Sequence, residues 1–316
     1  MARTVPAAAR ALEILSFLAA QPDESFTLSE LARVLDIGPG TIHALLATIE
    51  EAGYVDRDPV RRRYSLGPAA VAVGHAALER RPEIDLARDE VRRLAREHGC
   101  EAIAATLVGE EILMVARAGR ERVLRALRPR TGQRLPHRPP IGAVFAAWAP
   151  PAAQERWAAG GPPEHREVYA ATLRAVRRRG YDIGLRSAAR DAVGAVLGEF
   201  ARAPRGPVRE HLAELLAALG PGDLLARDPD PGEVLSIDHV MAPVFDNHGR
   251  VVLALTLLGI PDPITTEALA SLAERVVASA TYVSRSIDGA APSPREPTAG
   301  SVFDGPDRDI VSQRST

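Results

Sequence analysis

The 316-residue chain contains no lysine, so all 39 of its basic residues are arginine. That excludes a Schiff-base lysine and any phosphate loop built on one. A single cysteine, Cys100, rules out an intrachain disulfide and a cysteine-rich zinc site, and it points to a reducing compartment. Aromatic residues make up only 4% of the chain. The apolar segment Val251–Ile260 is about half the length that a membrane helix needs, so a membrane partner is not expected. Arg3 and Arg10 precede an apolar stretch, but Glu13 and Ser16 interrupt it and no small-residue cleavage site follows. The reading is a cytoplasmic protein.

What is present is the balance of a globular chain, 46% hydrophobic and 25% charged, long enough for two domains. Net charge is −2, which by itself gives no argument for nucleic acid. Eight arginines lie between Arg117 and Arg138 against one acid, Glu121. These arginines suit either solvated strand edges or capture of a carboxylate or an acidic partner.

The first sixty residues carry a recognisable order of elements. Leu12, Leu15, Leu18 and Ala19 recur at helical spacing over 6–20. Thr27-Leu28-Ser29-Glu30 is a capping box that opens a short second helix. Gly38-Pro39 breaks it, and proline suits the first position of a third helix that stops near Gly53. Two extended segments, at 54–57 and 63–66, then read as a hairpin. Three helices and a hairpin in this order predict a winged helix-turn-helix.

On the third helix Ile42, Leu45, Leu46 and Ile49 form the core face. Gly40, Thr41, His43, Ala44 and Thr48 are left on the outer side as candidate DNA contacts. Their small side chains permit close approach to base edges, and the helix start offers amides to a phosphate. Arg57, Arg61, Arg62 and Arg63 put positive charge on the wing, where phosphates or a minor groove would lie.

After Pro82 the pattern changes. A helix over 84–98 leads to strands Glu101–Val108 and Ile112–Ala116 and to helices at 141–149, 151–159 and 164–179. A helical pair over 188–219 is broken at 204–207, a hairpin covers 234–260, and a last helix spans 265–287. An antiparallel sheet with helices against one face is the simplest α+β arrangement. The segment 288–316 is rich in Gly, Pro, Ser and Thr and is expected to be a disordered tail. Cys100 reads as a buried small hydrophobe. No metal ligand set, nucleophile elbow or dinucleotide fingerprint is present, so neither catalytic residue, metal nor cofactor is expected.

Several segments together resemble the isocitrate lyase regulator (IclR) family of bacterial transcription factors. They are Arg10-Ala11-Leu12-Glu13-Ile14-Leu15, Leu28-Ser29-Glu30-Leu31-Ala32, Thr41 to Thr48, Gly53-Tyr54-Val55 and Arg63-Tyr64-Ser65-Leu66-Gly67. Leu135-Pro136-His137 with Gly142, Arg179-Gly180-Tyr181 and Met241 to Asp246 with Gly249 continue the likeness over 10–287. This chain differs in having Ala44 where an arginine is usual, Ala143 where a lysine is common, and a longer 186–232 segment.

The resemblance implies a winged helix-turn-helix domain over 1–66, a linker helix over 67–82 and a GAF-like effector domain over 83–287, with a long helical insertion near 186–232. It further implies a sequence-specific regulator, a repressor rather than an activator, working as a homodimer or a dimer of dimers on a double-stranded operator. The alternative is a winged-helix protein-interaction adaptor with a vestigial sensor domain. The implied effector is a small organic acid. Its expected site joins Arg134, His137, Arg138, Ile141, Gly142, Ala143, Val144 and Phe145 to His239 and Val240. Free amides near 141–143 and an arginine would hold the carboxylate.

Overall fold

The computed structural model describes residues 5–119, 131–202 and 207–292. The arginines at 120–130 and the tail beyond 292 lie outside the described residues. The N-terminal unit runs α1 (Pro6–Ala19), β1 (Phe26–Thr27), α2 (Leu28–Val34), α3 (Pro39–Glu51), β2 (Val55–Arg57) and β3 (Arg63–Leu66). Proline opens α1 and α3, where its missing N–H costs nothing. The capping box at α2 is formed in full: the Glu30 amide donates to the Thr27 hydroxyl at 3.2 Å, and the Thr27 amide donates to Glu30 at 2.7 Å. Ile14, Leu18, Leu31, Leu35, Ile42 and Leu46 are buried in one core, with Phe17 edge-on to Phe26.

The wing is a three-stranded sheet in the order β1-β3-β2, not the two-stranded hairpin expected. Phe26 pairs with Tyr64 and Thr27 with Arg63. A strand of two residues is too short to show any alternation.

Two helices follow, α4 (Pro68–Glu79) over the segment expected as the linker and α5 (Pro82–His98) over the one expected as a helix at 84–98. No residue of α4 is buried, whereas α5 buries Ala87, Val91, Leu94 and Ala95. At the start of α4, a Cβ on Gly67 would meet the Gly53 carbonyl oxygen at 2.4 Å, so glycine alone permits this approach.

The C-terminal unit continues with β4 (Glu101–Val108), β5 (Glu111–Ala118), β6 (Arg134–Pro136), α6 (Ala143–Ala147), α7 (Pro151–Ala159), α8 (Arg166–Arg179), β7 (Asp182–Leu185), α9 (Ala188–Arg202) and α10 (Pro207–Ala218). It ends with β8 (Val234–Leu235), β9 (Ile237–Phe245), β10 (Val251–Leu258), β11 (Ile264–Thr265) and α11 (Thr266–Ser286). The main sheet has the order β6-β5-β4-β10-β9-β7, and every pair is antiparallel.

Helices cover both faces, which corrects the one-face expectation. Val91, Leu94, Val276 and Val283 of α5 and α11 pack on one side. Val144 and Phe145 of α6 pack on the other, against Ile103, Ile112 and Met114. The apolar runs of β4 and β10 are those of strands buried on both sides. The longer 186–232 segment folds as the α9–α10 pair, with Val193, Val196, Leu212, Leu216 and Leu219 between its helices and Leu135 and Ile141 against them.

Candidate functional site

Two places on the chain collect the predicted residues. On α3, Gly40, Thr41, His43, Ala44 and Thr48 are all exposed, because Ile42, Leu46 and Ile49 take the opposite face inward. The Thr48 hydroxyl donates to the Ala44 carbonyl at 2.9 Å, which leaves its methyl group outward. A cleft of about 610 Å3 separates this face from the wing, bounded by His43 and Ala47 on one side and Arg57, Arg61 and Arg62 on the other.

The wing tip is fixed by Asp58. Its carboxylate accepts from the Val60 amide at 2.8 Å and the Arg61 amide at 2.9 Å. Those amide bonds, that of Arg61 first, hold the carboxyl below its ordinary range. Arg62 takes a left-handed φ of 53°, so Arg61 and Arg62 stand exposed at the turn. The Arg57 guanidinium lies 5.7 Å above the Tyr64 ring. Arg63 is different. It turns inward, donating to the Ser25 carbonyl at 2.9 Å and standing 3.1 Å from Glu30. The wing charge facing the cleft therefore belongs to three arginines, and the fourth ties the wing to the capping box.

The second place is the α6 side of the main sheet. Ile141, Gly142 and His239 line a cavity of about 130 Å3, together with Ile103, Ala105, Met114, Val193, Leu219, Met241 and Thr256. Arg134 and Arg138 do not reach it. They line a separate, open cleft of about 420 Å3 between α1 and α10, where Arg134 pairs with Glu111 at 2.9 Å. Ala143, Val144 and Phe145 are buried packing residues, and Val240 faces the opposite core.

His137 has its Nε2 3.2 Å from the Gly142 carbonyl and packs beside Phe145 and Trp157; burial holds its pKa below the usual value. The amide of Ile141 is already committed to the Arg138 carbonyl at 2.7 Å, and α6 has five residues. Of the amides expected to hold a carboxylate near 141–143, that of Ile141 is thus already spoken for.

The polar end of the cavity comes from residues that the sequence did not single out. Arg190 of α9 and Asp238 of β9 line it beside His239. His239 Nδ1 is 2.9 Å from Asp238 and its Nε2 is 3.6 Å from Asp182. Burial pushes the His239 pKa down, but the two carboxylates outweigh it and hold it above its ordinary value. Burial pushes both acids up, and His239 outweighs it, holding both below theirs. Arg190 Nη2 donates to the Asp223 carbonyl at 2.9 Å and Nη1 to Asp238 at 3.4 Å. Asp223 in turn accepts from Ser187 and from the Gly220 amide. The imidazole lies flat on β7, where a Cβ at Gly184 would meet His239 Cε1 at 2.2 Å. The adjacent Asp238-His239 pair in an otherwise apolar strand was the one sequence signal available for this network.

Cys100 is buried, and burial pushes its thiol pKa up, the opposite of an activated nucleophile. Among the described residues no group of three His, Cys, Asp or Glu side chains gathers as a metal site would require.

Residues 7–59 match the IclR helix-turn-helix domain. The chain is 31% identical over 147 residues to the HTH-type transcriptional regulator BhcR of Paracoccus denitrificans, an alignment covering 46% of this chain and 52% of that protein. It thus spans about half the length of that curated relative. Among solved structures, an IclR transcriptional regulator from Alicyclobacillus acidocaldarius superposes with a TM-score of 0.63 at 22% identity, covering 91% of this chain and 100% of that one. An IclR homologue from Microbacterium hydrocarbonoxydans, complexed with 4-hydroxybenzoate, gives a TM-score of 0.59 at 17% identity, covering 89% and 98%. These low-identity structures share the fold: a helix-turn-helix unit followed by the mixed α+β effector unit. The N-terminal domain of this chain thus matches the helix-turn-helix domain of the IclR family, and its fold is the one seen in solved IclR-type structures.

Proposed function

We propose that the chain is a sequence-specific DNA-binding regulator whose operator affinity is set by a small molecule held in the effector unit. The observation that carries this reading is the cleft between the exposed face of α3 and Arg57, Arg61 and Arg62. Phosphate contacts from the wing would fix the register, and the small residues of α3 would let the helix seat deeply against base edges. Because Ala44 offers only a methyl group, the wing carries more of the affinity than it would beside an arginine-bearing helix. Repression is the direction favoured, since an occupied operator blocks access with no further contact.

A homodimer is supported by the apolar surface left open on α1 and α4. Leu12 is 63% exposed, Val71 72% and Val73 54%. Isolated exposed apolar residues are ordinary, but a helix with no buried residue needs a partner to be stable. Two-fold symmetry then demands two half-sites, and pairing of dimers would supply a dimer of dimers. None of the helices among the described residues is long and apolar enough to cross a membrane, and a regulator of this kind works in the cytoplasm with the DNA.

The proposed effector site is the cavity of about 130 Å3 lined by the sheet, α9 and the α6 loop. An organic acid is the second reading for the ligand, favoured by one observation: Arg138 lines the open cleft between α1 and α10 without an acidic partner among the described residues. Footprinting of the upstream region of the protein's own gene tests the regulator reading. Protection of two related half-sites is expected; uniform protection along the duplex would overturn it.

A further inference from the structure

The cavity's polar end has an uneven charge count. Three carboxylates, Asp182, Asp223 and Asp238, stand against two cations, Arg190 and His239. Were His239 neutral, the excess of negative charge would be larger still. The neighbouring cations act on it only from beyond ion-pair distance: Arg179, 3.8 Å from Asp228, also favours the charged Asp182, and Arg186, 3.3 Å from Asp262, the charged Asp238. Arg190 has both Nη atoms engaged, by Asp238 and the Asp223 carbonyl, and its buried Nε is left without a hydrogen-bond partner. A ligand carboxylate at this end would become a fourth buried anion or would have to break the Arg190–Asp238 pair. Either course leaves a charge uncompensated out of water.

What the site still offers is an acceptor. Asp238 Oδ2 takes both donors, from His239 at 2.9 Å and from Arg190 at 3.4 Å, while Oδ1 receives no hydrogen bond from the described residues. The remaining walls are almost wholly apolar, from Ile103, Ile112, Met114, Leu219, Met241 and Leu258. An ammonium group would suit Asp238 but would shed its hydration among those side chains. A volume of about 130 Å3 is close to that of apolar cavities known to admit benzene, roughly 150 Å3.

We infer that the cavity takes a neutral, largely apolar molecule of about the size of one six-membered ring, whose hydroxyl donates to Asp238. The inference rests on the effector reading above and narrows it to a small phenol or cyclic alcohol. Arg190 acts as a positioning residue that holds the Asp238 carboxylate toward the ligand. Since Arg190 and Val193 come from α9, the inserted segment sets this selectivity.

The test is calorimetric titration of the full-length protein at pH 7 with phenol, toluene and benzoate, which share a ring and differ in the polar group. Phenol should bind at least tenfold more tightly than either of the others. Ala105→Leu adds three carbons to the cavity wall and should weaken phenol at least tenfold, with circular dichroism unchanged. Val193→Phe does the same from the opposite wall should Ala105→Leu fail to fold. Equal binding of toluene would overturn the hydroxyl donor. Benzoate binding as tightly as phenol, and abolished in Ala105→Leu, would overturn the neutral class while leaving the effector site standing. Phenol binding untouched by both substitutions, or no binding by any of the three, would overturn the inference. The operator footprint judges the regulator reading independently of all these outcomes.

Discussion

The two candidate sites of this molecule handle charge in opposite ways. The α3–wing cleft keeps Arg57, Arg61 and Arg62 exposed, with a backbone-directed Asp58 at the turn and Glu50 on the α3 side. The cavity beside the main sheet instead gathers Arg190, His239 and three carboxylates at one end, each held by partners from other elements. A polyanion is met best by solvated charge, because contact releases counterions and no desolvation has to be offset beforehand. A small molecule is met best by a dry wall with a few fixed polar atoms. The same residue type, arginine, therefore acts as a ligand-facing group in one domain and as internal scaffolding in the other.

Breaking the buried network should have the largest effect. Asp182→Ala leaves His239 short of one carboxylate and should cost about 3–5 kcal/mol, the usual penalty for orphaning one member of a buried pair. Urea unfolding followed by tryptophan fluorescence reads it, since both tryptophans lie in the effector unit. A cost below ~1 kcal/mol would mean that the cluster is solvated after all.

The network also fixes a pH dependence. The folded pKa of His239 is raised above 6.5, so its stabilisation is complete below that value and is lost as pH rises through the folded pKa. Asp182 and Asp238 have folded pKa values lowered below 3.8, so their stabilisation is present above that value and is lost as pH falls through the folded values. The C-terminal unit should therefore lose stability as pH rises above 6.5, and His239→Gln should flatten that limb of a melting-temperature profile. A limb unchanged in the variant would assign the effect elsewhere.

On the solvated side, Arg57, Arg61 and Arg62 changed together to alanine should leave the melting temperature nearly unchanged. Operator binding should weaken, with the slope of log affinity against log salt reduced by roughly 2–3, near 0.9 for each phosphate no longer neutralised. An unaltered slope would move the phosphate contacts away from the wing. Thr27→Ala should cost about 1 kcal/mol by removing the α2 cap, without changing the salt slope. Removal of residues 293–316 should change least of all, because their composition provides no apolar periodicity to dock.

The contrast between the sites also explains what the sequence disclosed. The helix-turn-helix was legible because its helices are local: Thr27 and Glu30 cap within four residues, and Ile42, Leu46 and Ile49 repeat at helical spacing. Helix α5 and the β9–β10 hairpin were legible for the same reason. Strands β1, β6 and β7 were not, since segments of two to four residues owe their pairing to distant partners.

The cavity's polar end was illegible because Asp182, Arg190, Asp223 and Asp238 come from four separate segments, and only the folded sheet brings them to His239. Residues near 137–145 read as a ligand loop through the family likeness of Leu135-Pro136-His137 with Gly142. In the fold Gly142 lines the cavity, His137 braces it through the Gly142 carbonyl, and Arg138 faces another space. Arg63 misled in a similar way: three adjacent arginines look alike in a string, but pairing with Thr27 of β1 sets Arg63 beside Ser25 and Glu30, while Arg61 and Arg62 stay in the turn.

The central claim is that the exposed surface of α3 and the wing reads a DNA sequence. Fluorescence anisotropy of the full-length protein, at one fixed salt concentration, compares a duplex from its own upstream region with a scrambled duplex of equal length and base composition. The account predicts a preference of roughly a thousandfold or more, as specific regulators show over non-specific DNA. Equal affinity for the two duplexes would contradict it.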